Sequence, residues 1–313
     1  MKVYVHPPNE SWICDRFASE WSAWIQNSDN NLSVSKSFKE SDLIWLLADW
    51  CWRKVDPYSL SRKKVIATVH HIVPNKFGNH ARMEFMQRDE FVDAYHVPCM
   101  ATKIQIQDLT TKPIYSFPFW VNQNIWFEKD KNFLRKRYNI NQDVFLIGSF
   151  QRDTEGFDLK SPKLEKGPDV FCNIVSNMYK ENKNIKVLLA GWRRQYVMER
   201  LKQERIPFLY QELPSFEVLN DFYNMLDLYI VASRYEGGPQ AIFESSIVKT
   251  PIISTSVGYA EELLHKKSLI SNGADWQSCK EEDVIKYNFD QVSKIRMPEG
   301  FNNFINMINE VAK

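Results

Sequence analysis

The stretch Asp227–Thr255, DLYIVASRYEGGPQAIFESSIVKTPIIST, decides the fold class. Its apolar run Leu228 to Ala232 reads as a buried strand, a polar turn follows, and Gly237-Gly238-Pro239 opens a helix running to about Val248. A second strand begins after Pro251. Pro239 suits the first helical turn, where its missing N–H has no intrahelical partner to lose. Strand, turn, helix and strand in this order form the βαβ unit of a parallel sheet. Glycines just before a helix N-terminus leave N–H groups free at the positive end of the helix dipole, a seat for phosphate.

The same alternation extends in both directions. In the first half the expected strands are Lys2 to His6, Leu43 to Leu47, Val65 to Val69, Ala94 to Val97 and Ile114 to Phe117, with helices such as Ser11 to Ile25 and Met100 to Asp108 between them. The second half repeats the plan with Val144 to Ser149, Val187 to Ala190, Phe208 to Tyr210, Leu228 to Ala232, Ile252 to Ser254 and Leu269 to Ile270. Two Rossmann-like, doubly wound α/β domains are the economical reading, residues 1–130 and 142–297, facing a central cleft. The highly charged segment Glu128 to Asn141 lacks an apolar β pattern and takes the boundary. The tail, Pro298 to Lys313, reads as a helix with Phe301, Phe304, Ile305, Ile308 and Val311 on one face. That face docks either on its own domain or back on the first; periodicity leaves both open.

Two carboxylates flank the glycine turn. Glu236 sits in the turn, and Glu244 lies five residues beyond Pro239, roughly 7.5 Å along a helix axis. Two acids so spaced can accept hydrogen bonds from hydroxyls on different parts of an extended ligand, and a nucleotide-sugar fits that span. The segment resembles the donor-binding region of retaining glycosyltransferases of the GT-B fold, family 4, whose E-x7-E pair matches Glu236 and Glu244. The likeness continues through Ser256 to Leu264, with Glu262 at the acidic position. The resemblance implies that Glu236 contacts the transferred sugar, that Glu244 holds the ribose, and that backbone N–H groups from Gly237, Gly238 and Gln240, around Pro239, hold donor oxygens. It also implies two diphosphate-neutralising cations, matched by Arg152 after the strand Val144 to Ser149 and by Lys166 ahead of Gly167-Pro168. The interval between them is longer than the family's and contains Lys160, an alternative to Lys166. Cations placed where charge develops stabilise the transition state without a metal. No cofactor or metal is therefore expected beyond the nucleotide-sugar donor.

In the first half, IATVHHIVP (Ile66 to Pro74) resembles the family's strand ending in a histidine beside the donor sugar, with His70 at the matching place. His70 reads equally well as a packed strand-end side chain. The family's glycine-rich first loop is replaced by His6-Pro7-Pro8-Asn9-Glu10, and Lys249 stands where the family often has the glycine that ends the second-Glu helix. Without glycine a left-handed residue is unfavourable, so that helix is expected to end differently. Arg193 and Arg194, after a strand, read better as caps of a sheet edge than as cleft residues. Eight of the ten tryptophans lie in the first 126 residues; Trp12, Trp50 and Trp52 are candidates to stack on an acceptor sugar, with core packing the commoner role. The basic cluster Arg53, Lys54, Arg62, Lys63 and Lys64 is compatible with a lipid-linked anionic acceptor, although a solvated face explains it more simply.

Composition narrows the remaining classes. A net charge of +1 over 313 residues does not supply the field that nucleic-acid binding needs. Five scattered cysteines, never spaced C-x-x-C, argue for reduced thiols in a cytoplasmic protein. The chain has no apolar run of transmembrane length, which leaves peripheral contact with a membrane surface open. The expected function is transfer of a sugar from a nucleotide-sugar to a glycan, lipid-linked or other hydroxyl acceptor. An epimerase or sugar phosphorylase on the same architecture, and a catalytically silent sugar-binding module, are the alternatives, because fold does not set function.

Overall fold

The chain is described by a computed structural model covering residues 1–10, 13–28, 30–270 and 276–313. Its short apolar runs form two all-parallel sheets. The first comprises β1 (Lys2–His6), β2 (Ser33–Val34), β3 (Leu43–Leu46), β4 (Lys64–Thr68), β5 (Ala94–Val97) and β6 (Ile114–Ser116), in the order β2-β1-β3-β4-β5-β6. The second comprises β7 (Phe145–Ser149), β8 (Ile185–Ala190), β9 (Phe208–Gln211), β10 (Leu228–Val231) and β11 (Ile252–Ser254), in the order β11-β10-β7-β8-β9. Every residue of β3 and β10 is buried, as expected where helices cover both faces of a parallel sheet. Each order reverses once, between β1 and β3 and between β7 and β10. The carboxyl ends of strands at such a reversal are where open α/β sheets collect ligands.

The chain divides into two compact units, Met1–Phe119 with Pro298–Lys313, and Trp120–Met297. The charged segment Glu128 to Asn141 lies inside the second unit, where Lys131–Arg137 is helical. Its charges are docking groups: Lys129 pairs with Asp221 at 2.5 Å and Lys131 with Asp227 at 2.6 Å. Buried Arg135 binds Asp227 and donates to the carbonyls of Met225, Gln142 and Val144 at 3.0–3.1 Å. Composition reads such a clamp as a linker because the partner acids come from about ninety residues further on.

The strands fall within two residues of the expected ones, with two exceptions. Leu269–Ile270 forms no strand and contributes a single bridge, Ser254 to Leu269. The edge strand β2 was not anticipated, being two residues long and only half covered. The helix expected from Ser11 spans Ile13–Gln26; Ser11 and Trp12 lie outside the described residues. The tail forms a turn, Glu299–Phe301, and a helix, Asn302–Val311, that belong to the first unit. Phe301 stacks on Trp24 at 4.4 Å, and Phe304 meets Trp45, His96 and Phe117 at 4.7–5.1 Å.

Beneath Phe304 runs a buried chain of hydrogen bonds. Trp45 Nε1 donates to Thr68 Oγ1 at 2.9 Å, Thr68 Oγ1 lies 3.1 Å from His96 Nδ1, and His96 Nε2 donates to the Phe117 carbonyl at 3.0 Å. Burial pushes the His96 imidazole down to about 3, so it is neutral in the folded state. Its unfolded pKa is about 6.5, and protons therefore favour unfolding. The stabilisation is fully present above about pH 6.5 and is lost as pH falls toward 3. His6, lowered by burial and by Lys54, acts in the same direction. Urea unfolding of the first unit is expected to weaken by about 1–2 kcal/mol between pH 6.5 and 5, and His96→Gln to remove most of that slope. An unchanged slope in the variant would exclude His96 as its source.

Candidate functional site

The second sheet's reversal places two loops side by side, the one after β7 and the one after β10. In the first, Gln151 and Arg152 precede a detour, Asp153 to Lys163. Its ends rejoin: Thr154 bridges Pro162, and Lys163 N donates to the Asp153 carbonyl at 2.8 Å. The long interval that separates Arg152 from Lys166 in sequence is thus an excursion. Lys160 sits on its exposed tip, in a turn held by Asp158. Lys166 lies at the base, where its Nζ donates to Glu236 Oε1.

The excursion is anchored by Asp153 and Arg194, both buried. Arg194 Nε donates to Asp153 Oδ2 at 2.9 Å, and its terminal nitrogens donate to the carbonyls of Ser149 and Ala190 and to Ser149 Oγ. Burial raises the Asp153 carboxyl, against the pull of Arg194. Arg194 therefore caps the carboxyl ends of β7 and β8, the sheet-edge role expected of it. Arg193 takes a left-handed φ of 60° and donates to the Gly156 carbonyl. Arg152, half-buried, has no ion pair or hydrogen-bonded side chain among the described residues.

The second loop closes on the first. Ser233 Oγ donates to Glu236 Oε1 at 3.0 Å and lies 3.3 Å from Gln151 Oε1, while Gln151 Nε2 donates to the Lys166 carbonyl at 2.9 Å. Arg234 forks onto Asp169 at 2.6 and 2.7 Å, locking the helix Pro168–Glu181 to the turn. These contacts gather a carboxylate, an ammonium and a hydroxyl at one point. Gln151 and Asp169 carry no sequence signal of their own, whereas Ser233 opens the Ser-Arg-Tyr-Glu-Gly run, Ser233 to Gly237, that belongs to the resemblance.

Pro239 is the N-cap of the helix Gln240–Ile247, one position before the first helical turn expected for it, and offers no side-chain hydrogen bond to the first amides. Ile242 N donates to the Pro239 carbonyl at 3.0 Å, and the N-cap residue supplies no side-chain acceptor to the earlier amides, which makes this helix start a seat for an anion. Gly238 packs under Tyr259: a Cβ there would lie 2.5 Å from the ring. Tyr259 OH donates to the Pro239 carbonyl at 2.9 Å, and its ring stacks on Phe243 at 4.4 Å. Gly258 takes φ 58° against the Gly237 carbonyl. Glu262 is exposed on the short helix Ala260–Leu263.

Glu244 lies on the inner face of the helix and is 8% exposed. Tyr223 OH donates to its Oε2 at 2.8 Å; burial first, then Glu244, keeps this phenol well above its ordinary pKa. At the other end of the helix Lys249 does adopt the left-handed conformation, φ 58°, contrary to expectation. Thr250 N reaches the Ser245 carbonyl at 2.9 Å, and Lys249 Nζ pairs with Glu128 at 2.7 Å, contacts that offset the strain.

In the first unit, His70 follows β4 and its Nε2 donates to the Leu47 carbonyl at 2.8 Å, with Cys14 Sγ 3.4 Å away. The exposed Trp50 ring lies 5.8 Å from it. Trp52 is buried beneath Arg53, a core role. Asn9, at φ 56°, supplies the left-handed turn after β1 that glycine would otherwise provide, and Asp15 accepts from the amides of Asn9 and Glu10 at 2.8 and 2.9 Å. All five cysteines are buried and free. Among the described residues no cluster of three His, Cys, Asp or Glu side chains is placed to hold a metal, and no helix is long and apolar enough to cross a membrane.

Comparison with known proteins bears on the fold and on part of the second unit. Residues 159–282 match the family model for glycosyl transferases group 1. No curated protein matches the chain. Among solved structures, Anabaena HepE in complex with UDP superposes with a TM-score of 0.74 at 12% identity, covering 99% of both chains. A sucrose-phosphate synthase from Thermosynechococcus elongatus gives 0.74 at 12% identity over 99% of this chain and 98% of its own. A Rickettsia africae glycosyltransferase gives 0.72 at 14% identity over 100% and 98%. The chain thus has the two parallel-sheet units of the GT-B fold, and residues 159–282, within its second unit, match the group 1 glycosyl transferase model.

Proposed function

We propose that the protein is a retaining, metal-independent glycosyltransferase of family 4 that moves a sugar from a nucleoside-diphosphate sugar to a hydroxyl acceptor, glycan or lipid-linked. The observation that carries this reading is the cluster of Glu236, Lys166 and Ser233, joined through Gln151, the residue before Arg152, at the reversal of the second sheet. The UDP in the HepE structure supports a nucleotide donor.

In this reading the diphosphate lies against the first turn of the helix Gln240–Ile247. Arg152 and Lys166 neutralise the charge that grows on it as the glycosidic bond breaks. Glu236 accepts from the sugar's hydroxyls, and Glu244 from the ribose. The departing diphosphate takes the acceptor's proton, so no separate protein base is required. On the first unit, His70 is the candidate beside the donor sugar and Trp50 the candidate to stack on the acceptor. With the His70 Nε2 proton held by Leu47, contact with a sugar falls to the rest of the ring.

The test is a panel of nucleotide-sugars, with and without acceptor and with EDTA present, followed by nucleotide release and the anomeric configuration of the product. Acceptor-dependent release with retention supports the reading. Change of the donor alone indicates an epimerase, a requirement for phosphate indicates a phosphorylase, and binding without turnover indicates a silent module.

Tyr223 is the positioning residue for Glu244. Tyr223→Phe leaves a buried carboxylate oxygen without its donor, a loss of about 1.5–3 kcal/mol for a bond to a charged group. The expected result is a donor KM raised by about 10- to 150-fold, the equivalent of that loss, with kcat nearly unchanged. A fall confined to kcat would place Glu244 in the chemistry rather than in ribose binding.

A further inference from the structure

Three short segments of the first unit surround one open cavity of about 770 Å³. They are the turn Phe38–Glu40 ahead of β3, the turn Asp49–Lys54 after it, and the helix Pro57–Arg62 that runs back to the start of β4. Five cationic side chains line the cavity, Lys39, Arg53, Lys54, Arg62 and Lys63, against one carboxylate, Asp56. The whole chain carries only +1, so this is a local concentration of charge.

The contacts around the cavity hold its walls and neutralise Arg53, leaving most of the cationic charge in place. Asp56 caps the helix: its two oxygens accept from Ser59 N and Ser59 Oγ, each at 2.9 Å. Lys54 Nζ donates to the Pro8 carbonyl at 2.8 Å and Lys63 Nζ to the Ser41 carbonyl, neutral partners that leave both charges intact. Arg53 is paired with Glu84 at 2.8 Å. Arg62 lies over the Tyr58 ring at 4.5 Å, and among the described residues neither Arg62 nor Lys39 is in a salt bridge, although the Asp56 carboxylate attracts Lys39 across the cavity wall. Charges of one sign that line one cavity repel, an effect that reaches over a screening length of about 8–10 Å. A bound anion removes that repulsion and stabilises the folded state by mass action.

We infer that this cavity is a binding site for a multiply charged phosphate-type anion, a pyrophosphate or a phosphorylated saccharide. The Arg62 guanidinium fork matches paired phosphate oxygens, and the lysines act as point charges beside it, while the Arg53 fork is held by Glu84. Phe38 and Tyr58 supply flat apolar wall. The volume is that of a small-ligand site, for which about 300–1,000 Å³ is usual. The site lies wholly in the first unit, whereas Arg152 and Lys166 belong to the second.

The experiment is calorimetric titration of inorganic pyrophosphate into the wild type, Lys39→Gln/Arg62→Gln and Arg152→Gln/Lys166→Gln, at two salt concentrations. Both substituted residues of the first pair are exposed, so unfolding transitions matching the wild type are expected. The wild type and the Arg152/Lys166 variant should share one salt-sensitive binding event, which weakens by at least about tenfold in the Lys39/Arg62 variant, roughly 1.4 kcal/mol. Absence of pyrophosphate binding to the wild type overturns the inference. So does binding lost only in the Arg152/Lys166 variant, which would assign it to the donor site. Sedimentation with phosphatidylglycerol vesicles is the second arm: vesicle binding lost in the Lys39/Arg62 variant, without pyrophosphate binding, would assign the cations to a lipid surface instead.

Discussion

Lys166→Ala is expected to lower kcat for nucleotide-sugar turnover by about 10²–10³-fold, the loss seen when one preorganised donor to a developing negative charge is removed. The donor KM should change far less. Two effects act together. The leaving diphosphate loses a cation fixed at the base of the excursion, and Glu236 loses the ammonium that holds its carboxylate. Ser233 remains as a donor to that oxygen at 3.0 Å, so Glu236 is weakened rather than released. Lys160→Ala is the companion measurement, because Lys160 rides the exposed tip and should retain nearly full activity. If Lys160→Ala collapses kcat while Lys166→Ala spares it, the excursion folds onto the donor and the assignment of Lys166 is wrong. Equal losses in both would make the diphosphate's neutralisation a property of the whole loop.

The parallel sheets were legible because buried strands are written as unbroken apolar runs, such as Leu43 to Leu46 and Leu228 to Val231, bounded by polar turns. Glu236, Glu244 and the glycine turn were legible because their spacing is local. What local pattern cannot carry is pairing across long separations. Asp153 with Arg194, and Arg135 with Asp227, lie 41 and 92 residues apart; the place of Arg194 after a strand marks it as a sheet-edge cap, but neither partnership is written locally. Tyr223 is concealed for the same reason, an ordinary core aromatic until Glu244 is packed against it. Backbone strain is hidden too: Asn9 and Lys249 occupy left-handed positions that a reading by residue type assigns to glycine. The absence of glycine from the first loop therefore alters which residue makes the turn, and does not abolish it.

Gly167→Ala is expected to be the most damaging single substitution near the site. Gly167 joins the turn Leu164–Lys166 to the helix Pro168–Glu181 at φ 60°, a conformation that costs an L-residue roughly 1–2 kcal/mol. Sterics are worse than strain. A Cβ at this position would lie 1.8 Å from the Ala232 carbonyl oxygen and 2.7 Å from its carbon, and that backbone belongs to the exit of β10, which leads into Ser233 and Glu236. Neither partner is a flexible side-chain end, so two loops must separate, adding about 1–3 kcal/mol of overpacking. Their separation would pull Lys166 from Glu236 and Arg234 from the Leu164 carbonyl, which it now reaches at 2.9 Å. The second unit should lose roughly 2–5 kcal/mol of stability and the enzyme most of its turnover. Gly156→Ala isolates the steric part: Gly156 has φ 73°, yet the nearest atom to its Cβ would be Asp158 Oδ1 at 3.5 Å. That variant should lose only the roughly 1–2 kcal/mol of conformational strain. Chemical denaturation of the two variants side by side decides the matter; equal destabilisation would mean that the close approach of Gly167 to Ala232 does not set the geometry of the site.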